Sequence, residues 1–343
     1  MMHSTRSIYA IRNRAALERL AGSGKLFLTG IGNPLVDIIV QCDSVFMKTI
    51  GITPCTINHI QYLELENILD KLPPHTKIPG GGAANTCRMA SLLGGNCVVA
   101  GCIGDDDVGG WYEDQLAREG VRSALRHIKG QKTGIFCTFI HPDGTNTRVV
   151  APGAANSIDV ESLDPEIFEA GRVLLAEGFL ARKPDLLESV LMRGSISGMT
   201  VAMDLGSADF VVNSRELLAR IIPEYCDIVF ANEAEFFAFT GCRNTEESMR
   251  ILPQGTVFVI KKGDRGAESI FAGEYTDSPV LPLEVFDETG AGDAFAGGFL
   301  ASFSAGCTAS ECLRNANNLA GRTVMVPGAS LSKIEACEAW AKK

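Results

Sequence analysis

Six short segments between residues 172 and 239 decide the fold: Arg172–Ala176 (RVLLA), Pro184–Met192 (PDLLESVLM), Thr200–Asp204 (TVAMD), Ser214–Ile222 (SRELLARII), Asp227–Phe230 (DIVF) and Glu233–Phe239 (EAEFFAF). The first, third and fifth are nearly continuous apolar runs, the mark of strands covered on both faces. The others mix apolar with charged residues over a longer span, which predicts helices. This alternation builds a largely parallel sheet with helices on both faces, because parallel neighbours need a long crossover. Working outward, Leu26–Ile31, Val257–Lys261 and Ser269–Ala272 extend the strand set. Ala83–Leu93, Gly109–Arg118, Gly290–Phe303 and Ala309–Val324 extend the helix set. No internal repeat and no Pro/Ser-rich linker divides the chain.

Two stretches break the rhythm. Val36–Gln61 and Thr133–Ala151 read as strands with little helix between them. The second holds a hairpin signal, an apolar run Phe136–Ile140, then Pro142-Asp143-Gly144, then Thr145–Val150. Strands outside the main sheet predict a small lid over the ends of the parallel strands, where open α/β sheets bind ligands. Such a lid keeps water from a hydrolysable donor.

The chain has 343 residues, 31 basic and 41 acidic, for a net charge of −10. An acidic balance argues against nucleic-acid or anionic-membrane partners, which need basic surfaces. It leaves room for a small anion held by a few backbone amides. The charge is uneven: residues 1–25 carry +4, leaving −14 for the rest. An Arg-rich, acid-poor start fits either an organelle-targeting segment or a solvated helix, and no apolar run marks it as secretory. Eleven cysteines without a C-x-x-C pair read as buried thiols in a reducing cytoplasm. Five scattered histidines contain no H-x-x-x-H pair, which disfavours a metallohydrolase. The uncharged run Ala294–Ser310, broken by glycines, is a buried helix rather than a membrane span.

The strongest motif is Asp287-Glu288-Thr289-Gly290-Ala291-Gly292-Asp293-Ala294-Phe295. Its glycines run into an apolar helix, so the amides of Ala291, Gly292 and Asp293 are expected to be unpaired at the positive end of the dipole. Asp293 is then either a simple first-turn acid or a base that accepts a hydroxyl proton beside an anion hole. Gly80-Gly81-Gly82-Ala83-Ala84-Asn85 also precedes a helix, as a tight turn or as a polyol contact through Gly81 and Asn85. Asp37, an acid in an apolar run, binds a hydroxyl or a structural donor. Asn232 is a good N-cap before Glu233 and Glu235. Gly263-Asp264-Arg265-Gly266 joins two strands, and Gly104–Gly110 with its three acids reads as a solvated loop and helix cap. Arg148 in the lid either reaches phosphate or is a solvated edge charge. Gly30-Ile31-Gly32-Asn33 imitates a dinucleotide fingerprint, but Leu35 replaces the third glycine. Gly22-Ser23-Gly24-Lys25 imitates a P-loop, but Leu26 replaces the magnesium-binding Ser or Thr.

In order, Gly32-Asn33…Asp37, Gly80-Gly81…Asn85, Asn232…Glu235, Gly263…Gly266 and Gly290-Ala291-Gly292-Asp293 resemble the ribokinase (PfkB) family of carbohydrate and nucleoside kinases, over roughly residues 25–330. The resemblance implies a ribokinase-like, doubly wound, three-layer αβα sheet with a small β-sheet lid. The kinase domain would span residues 25–343, with the lid drawn from about 36–61 and 133–151, after a basic extension over 1–24. It implies Asp293 as the base and Gly290, Ala291 and Gly292 as the anion hole. Asn33, Asp37, Gly81 and Asn85 would hold sugar hydroxyls; Arg148 joins the substrate-binding set from its place in the lid rather than from the resemblance. Asn232 and Glu235 match an N-x-x-E element that tunes Mg2+ through water. Gly263 and Gly266 would shape the ATP pocket, with Asn317 near adenine. Glu288 stands where the family commonly has Ser or Thr, which leaves dependence on a monovalent cation such as K+ open. Lid strands pair between subunits in some members, so the expected state is a monomer or homodimer.

Gly32–Ile38, Gly153-Ala154-Ala155-Asn156, Asp227–Glu233 and Arg88 look most like the adenosine-kinase-like branch. The resemblance thus implies ATP-dependent phosphorylation of a primary hydroxyl, with adenosine the best single acceptor. The alternatives are a free-sugar kinase of the ribokinase or fructokinase type, a non-catalytic sensor and an NAD oxidoreductase.

Overall fold

The computed structural model describes residues 24–169, 172–326 and 330–340. All but one residue of the expected basic extension lie outside them. In chain order the elements are β1 (Phe27–Ile31), β2 (Leu35–Gln41), α1 (Ser44–Ile50), β3 (Ile57–His59), α2 (Tyr62–Leu69), β4 (Thr76–Gly80), α3 (Gly82–Leu92), β5 (Asn96–Gly104), α4 (Asp107–Arg118), β6 (Val121–Ile128), β7 (Thr133–Ile140) and β8 (Asn146–Gly153). There follow β9 (Val173–Glu177), α5 (Pro184–Ile196), β10 (Thr200–Asp204), α6 (Ala208–Tyr225), β11 (Ile228–Asn232), α7 (Glu233–Thr240), α8 (Thr245–Met249), β12 (Val257–Lys261), β13 (Ala267–Phe271), β14 (Glu274–Ser278), α9 (Ala291–Ser304), α10 (Ala309–Thr323) and α11 (Lys333–Trp340).

A nine-stranded sheet has the order β14-β13-β12-β11-β10-β9-β1-β5-β6. Its pairs are parallel from β12 through β6, and β13 and β14 close one edge as antiparallel strands. Two apolar cores follow. One includes Leu28, Val99, Phe230 and Phe299, and the other Ile31, Leu174, Met203 and Ile260. Neighbouring residues of one strand, such as Leu174 and Leu175, enter different cores, as alternation across a sheet covered on both faces requires.

The second sheet, β3-β8-β7-β2-β4, is the lid. It joins the large sheet through β1–β2 and β6–β7 and returns through β4–α3 and after β8. Two features differ from expectation. Residues 36–61 contain a helix, α1, which Asp43 caps by accepting from the amides of Val45 (3.0 Å) and Phe46 (2.9 Å), and which Gly51 ends in a left-handed conformation (φ 69°). The lid also recruits β4, outside both expected stretches. The loop after Gly104 is capped as expected, and Asp106 does more: its carboxylate accepts from the Thr133 amide (3.0 Å) and hydroxyl (2.6 Å), anchoring the start of β7. Among the described residues no helix is long and apolar enough to cross a membrane. All eleven cysteines are free, and six of them are buried.

Candidate active site

The carboxyl ends of β1, β9, β10, β11 and β12 lie along one edge of the large sheet, and the N-termini of α3 and α9 open onto the same space. Asp293 stands in the first turn of α9, which Gly290 starts in the left-handed region (φ 74°, ψ 2°). Asn85 Nδ2 donates to Asp293 Oδ2 (3.1 Å). Arg88 decides which way that amide faces: its Nη1 donates to Asn85 Oδ1 (2.9 Å) and to the Pro79 carbonyl (2.7 Å), while Nη2 donates to Glu119 (3.0 Å). A buried chain of hydrogen bonds therefore fixes the donor that faces Asp293.

One amide of the expected anion hole is already engaged. Ala291 donates to the Glu288 carbonyl (3.2 Å), and the intrahelical ladder begins with Ala294 to Gly290 (2.8 Å). Gly292 and Asp293, the second and third residues of the helix, have amides without an acceptor inside it. The hole thus offers two amides rather than three, because the turn entering the helix closes on Ala291.

The predicted sugar-binding residues converge on the Gly80–Gly82 turn. Asp37 is buried, and a β-carbon at Gly80 would fall 2.2 Å from its carboxylate. A β-carbon at Gly81 would fall 2.4 Å from the Asn33 carbonyl oxygen, and Gly81 itself has φ 96° and ψ 130°, outside the range of L-residues. Gly81→Ala is accordingly expected to cost about 2 kcal/mol of stability and to raise the acceptor KM about tenfold with the ATP KM unchanged. Urea unfolding and steady-state kinetics check this. Unaltered stability and acceptor KM would show that the turn tolerates a side chain.

Glu177, at the end of β9, was not among the expected site residues. It accepts from the Asn33 amide (2.9 Å), Asn33 Nδ2 (3.3 Å) and the Ala83 amide (2.7 Å). It therefore ties together both crossings between the large sheet and the first half of the lid. Lys261 and Asp204 were likewise missed. Lys261 Nζ pairs with Asp204 (2.7 Å), reaching over β11. The signal available for all three was their place at the ends of apolar strands, where this class of sheet binds ligands.

Asn232 and Glu235 form a reciprocal cap on α7. Asn232 accepts from the Glu235 amide (2.9 Å), and Glu235 accepts from the Asn232 amide (2.8 Å) and side chain (2.7 Å). Gly263 and Gly266 shape the β12–β13 turn, and Gly266 (φ 88°) leaves 2.1 Å between a would-be β-carbon and the Ser278 carbonyl. Asn317 is buried and donates to that same carbonyl (2.8 Å), holding the end of β14. Arg148 shares its rung with Thr138 and Ile39, one rung beyond Asp37, Phe136 and Val150 on the same lid face. Glu288 is exposed, while Asp287 is buried with its carboxylate on the Thr289 amide (2.9 Å).

Four carboxyl groups here sit above their ordinary range, chiefly because burial penalises their charge. Asp37 is pushed up to about 7 against the pull of Arg88, and Glu177 to about 7 against its hydrogen bonds. Asp293 is raised by burial and by Asp204, against Lys261 and Asn85. Glu235 is raised by burial and by Asp204. Buried carboxyls that resist ionisation favour a nearby hard cation, and Mg2+ usually keeps water and takes one or two carboxylates besides substrate phosphates. Among the described residues no group of three or more His, Cys, Asp or Glu side chains is placed to hold a metal directly. Both Glu235 oxygens and Asn232 Oδ1 are engaged in the α7 cap, and each keeps a lone pair that can accept from a water on such an ion.

Known proteins resemble this chain in sequence and in fold. The model of the family described as pfkB family carbohydrate kinase matches residues 48–337. A cytidine kinase of Thermococcus kodakarensis is 29% identical over 249 residues, covering 69% of this chain and 84% of that one. An adenosine kinase of Schizosaccharomyces pombe is 26% identical over 303 residues, covering 81% and 88%. Among solved structures, the adenosine kinase from Sinorhizobium meliloti superposes with a TM-score of 0.83 at 26% identity, covering 93% of this chain and all of that one.

Proposed function

We propose, from the premise that this chain belongs to the pfkB family of carbohydrate kinases, that its acceptor is a ribonucleoside, with adenosine the best single candidate. The chain is an ATP-dependent phosphotransferase with an alcohol acceptor on a sugar or nucleoside. The single observation that carries the reaction is Asp293, held by Asn85 Nδ2 (3.1 Å) in the same first turn of α9 as the two amides that have no acceptor in the helix. In this reading the acceptor lies against the Gly80–Gly82 turn, its hydroxyls held by Asp37 and Asn33, with the lid and Arg148 above.

Asp293 accepts the proton of the primary hydroxyl as its oxygen forms a bond to the γ-phosphorus and the bond to the β-phosphate oxygen breaks. The amides of Gly292 and Asp293 meet the negative charge that develops on the phosphoryl oxygens, preorganised by the helix and reinforced by its dipole. Asn85 keeps the base oriented, and Arg88 keeps Asn85 from turning its oxygen toward it. Mg2+, held through water by Glu235 and Asn232, would supply charge neutralisation for the phosphates. Gly263 and Gly266 border the nucleotide, and Asn317 supports that wall through Ser278. The exposed Glu288 keeps its charge out of the loop at Asp287, so a K+ requirement is compatible with the site. Eleven free thiols suit a reducing cytoplasm.

The adenosine assignment rests on relatives that are adenosine and cytidine kinases and on the motifs shared with that branch. An ADP-release assay across adenosine, cytidine, other nucleosides, ribose, fructose and ketodeoxygluconate tests it. The expected outcome is turnover highest with adenosine. Highest turnover with a free sugar overturns the nucleoside assignment, and ADP release with no acceptor on the panel overturns the whole reading.

A further inference from the structure

Lys261 closes β12, next to Asn232 in the register of β11, and its ammonium is placed in an unusual way. A β-carbon at Gly292 would lie 3.2 Å from its Nζ, so the cation sits over the first turn of α9, beside the two amides that have no acceptor in the helix. A lysine serving only as counter-ion to Asp204 gains nothing from that place, because the positive end of a helix dipole repels it. Burial also works against its charge, yet Asp204, Glu235 and Asp293 outweigh that burial and hold the ammonium above its ordinary range. Ammonium, dipole and amides thus aim positive potential at one point that an anion would fill.

We propose that Lys261 is a further catalytic residue of this kinase, its ammonium leaving Asp204 to bind the transferred phosphoryl over Gly292. The inference rests on the phosphoryl-transfer reading above. Lys261 exchanges no proton during transfer: the acceptor proton goes to Asp293, the new bond joins the acceptor oxygen to phosphorus, and ADP leaves with the electron pair of the broken bond. The ammonium follows the charge on the equatorial oxygens and returns to Asp204 after the product leaves.

The test uses the full chain, Lys261→Met, and the charge-balanced double variant Lys261→Met/Asp204→Asn. Removing one transition-state donor typically costs about 10²–10³ in rate. Both variants should therefore lose kcat/KM for ATP by about that factor, with the acceptor KM within about threefold of wild type. In calorimetry, wild type should prefer the non-hydrolysable β,γ-imido analogue of ATP over ADP, and both variants should lose that preference. Recovery of turnover in the double variant would show that Lys261 only balances Asp204 and would overturn the proposal, as would a retained preference for the analogue. If wild type itself fails to transfer phosphate, the functional reading falls, while the binding preference still reports on Lys261 alone.

Discussion

Asp293→Asn should fold, bind both substrates and lose kcat by about 10²–10⁴, the range for removing a general base. The substitution keeps the shape of the side chain, and Asn85 Nδ2, now 3.1 Å from a carboxylate oxygen, can donate to an amide oxygen instead. KM values for ATP and acceptor should stay within about threefold. The amides of Gly292 and Asp293 remain in place, so the residual rate should still exceed the rate in water. Stability should not fall: the wild-type carboxyl is raised by burial and by the neighbouring Asp204, and a neutral amide escapes both penalties. A variant that is stable but nearly inactive is the signature of a group kept for chemistry at the expense of stability. The same shift predicts the pH profile. A base must be ionised, so kcat/KM should rise with pH on the acid side and then level. Wild-type turnover in Asp293→Asn would move the base elsewhere and undo the mechanism.

The parts legible in the sequence share a property: their chemistry is written in adjacent residues. Gly290 through Asp293 join a left-handed turn, two free amides and an acid within four positions, and Gly80–Gly82 join a close approach to Asn85. The repeated apolar runs of 172–239 made the parallel sheet legible in the same way, since each strand there is covered on both faces. What was hidden depends on topology. Glu177 acts on Asn33 and Ala83, 144 and 94 positions away, and falls just past the run Arg172–Ala176. Lys261 and Asp204 are 57 positions apart and meet only because β10 and β12 flank β11. β5 was missed for a different reason. Its glycines weaken a strand pattern, yet Gly101 is required because a β-carbon there would meet the Gly32 carbonyl and Pro34 at 2.7 Å. The helix α1 could have been found: Asp43 and Gly51 mark its two ends.

Without bound substrate, the protein should lose stability as pH rises from 5 to 8. Asp37 and Glu177, ordinarily at 3.8 and 4.5, both stand near 7 in the folded chain. A carboxyl whose folded pKa is raised binds its proton more tightly folded than unfolded. Its stabilising contribution is thus fully present below the unfolded pKa and is lost as pH rises through the folded one. Shifts of this size correspond to about 4 kcal/mol for Asp37 and about 3 kcal/mol for Glu177, and Asp293 and Glu235 act in the same direction. Carboxylates lowered by their partners, such as Glu188 beside Arg220 and Glu311 on the Thr308 amide, work the other way, but their contribution is lost only as pH falls below about 4. His59, lowered by partial burial of its ring and by Arg182, adds stability as pH rises through the histidine range, but it is an exposed residue and its contribution is small. Between pH 5 and 8 the raised, buried carboxyls therefore dominate, with His59 opposing them weakly. Urea unfolding across it should give a falling free energy for wild type and a flatter one for Asp37→Asn. Glu177→Gln should be flatter too, displaced downward because an amide oxygen cannot replace both carboxylate oxygens on the Asn33 and Ala83 amides. Parallel slopes in all three proteins would mean that neither carboxyl is held neutral by its burial, and that the site tolerates their charge without a cation.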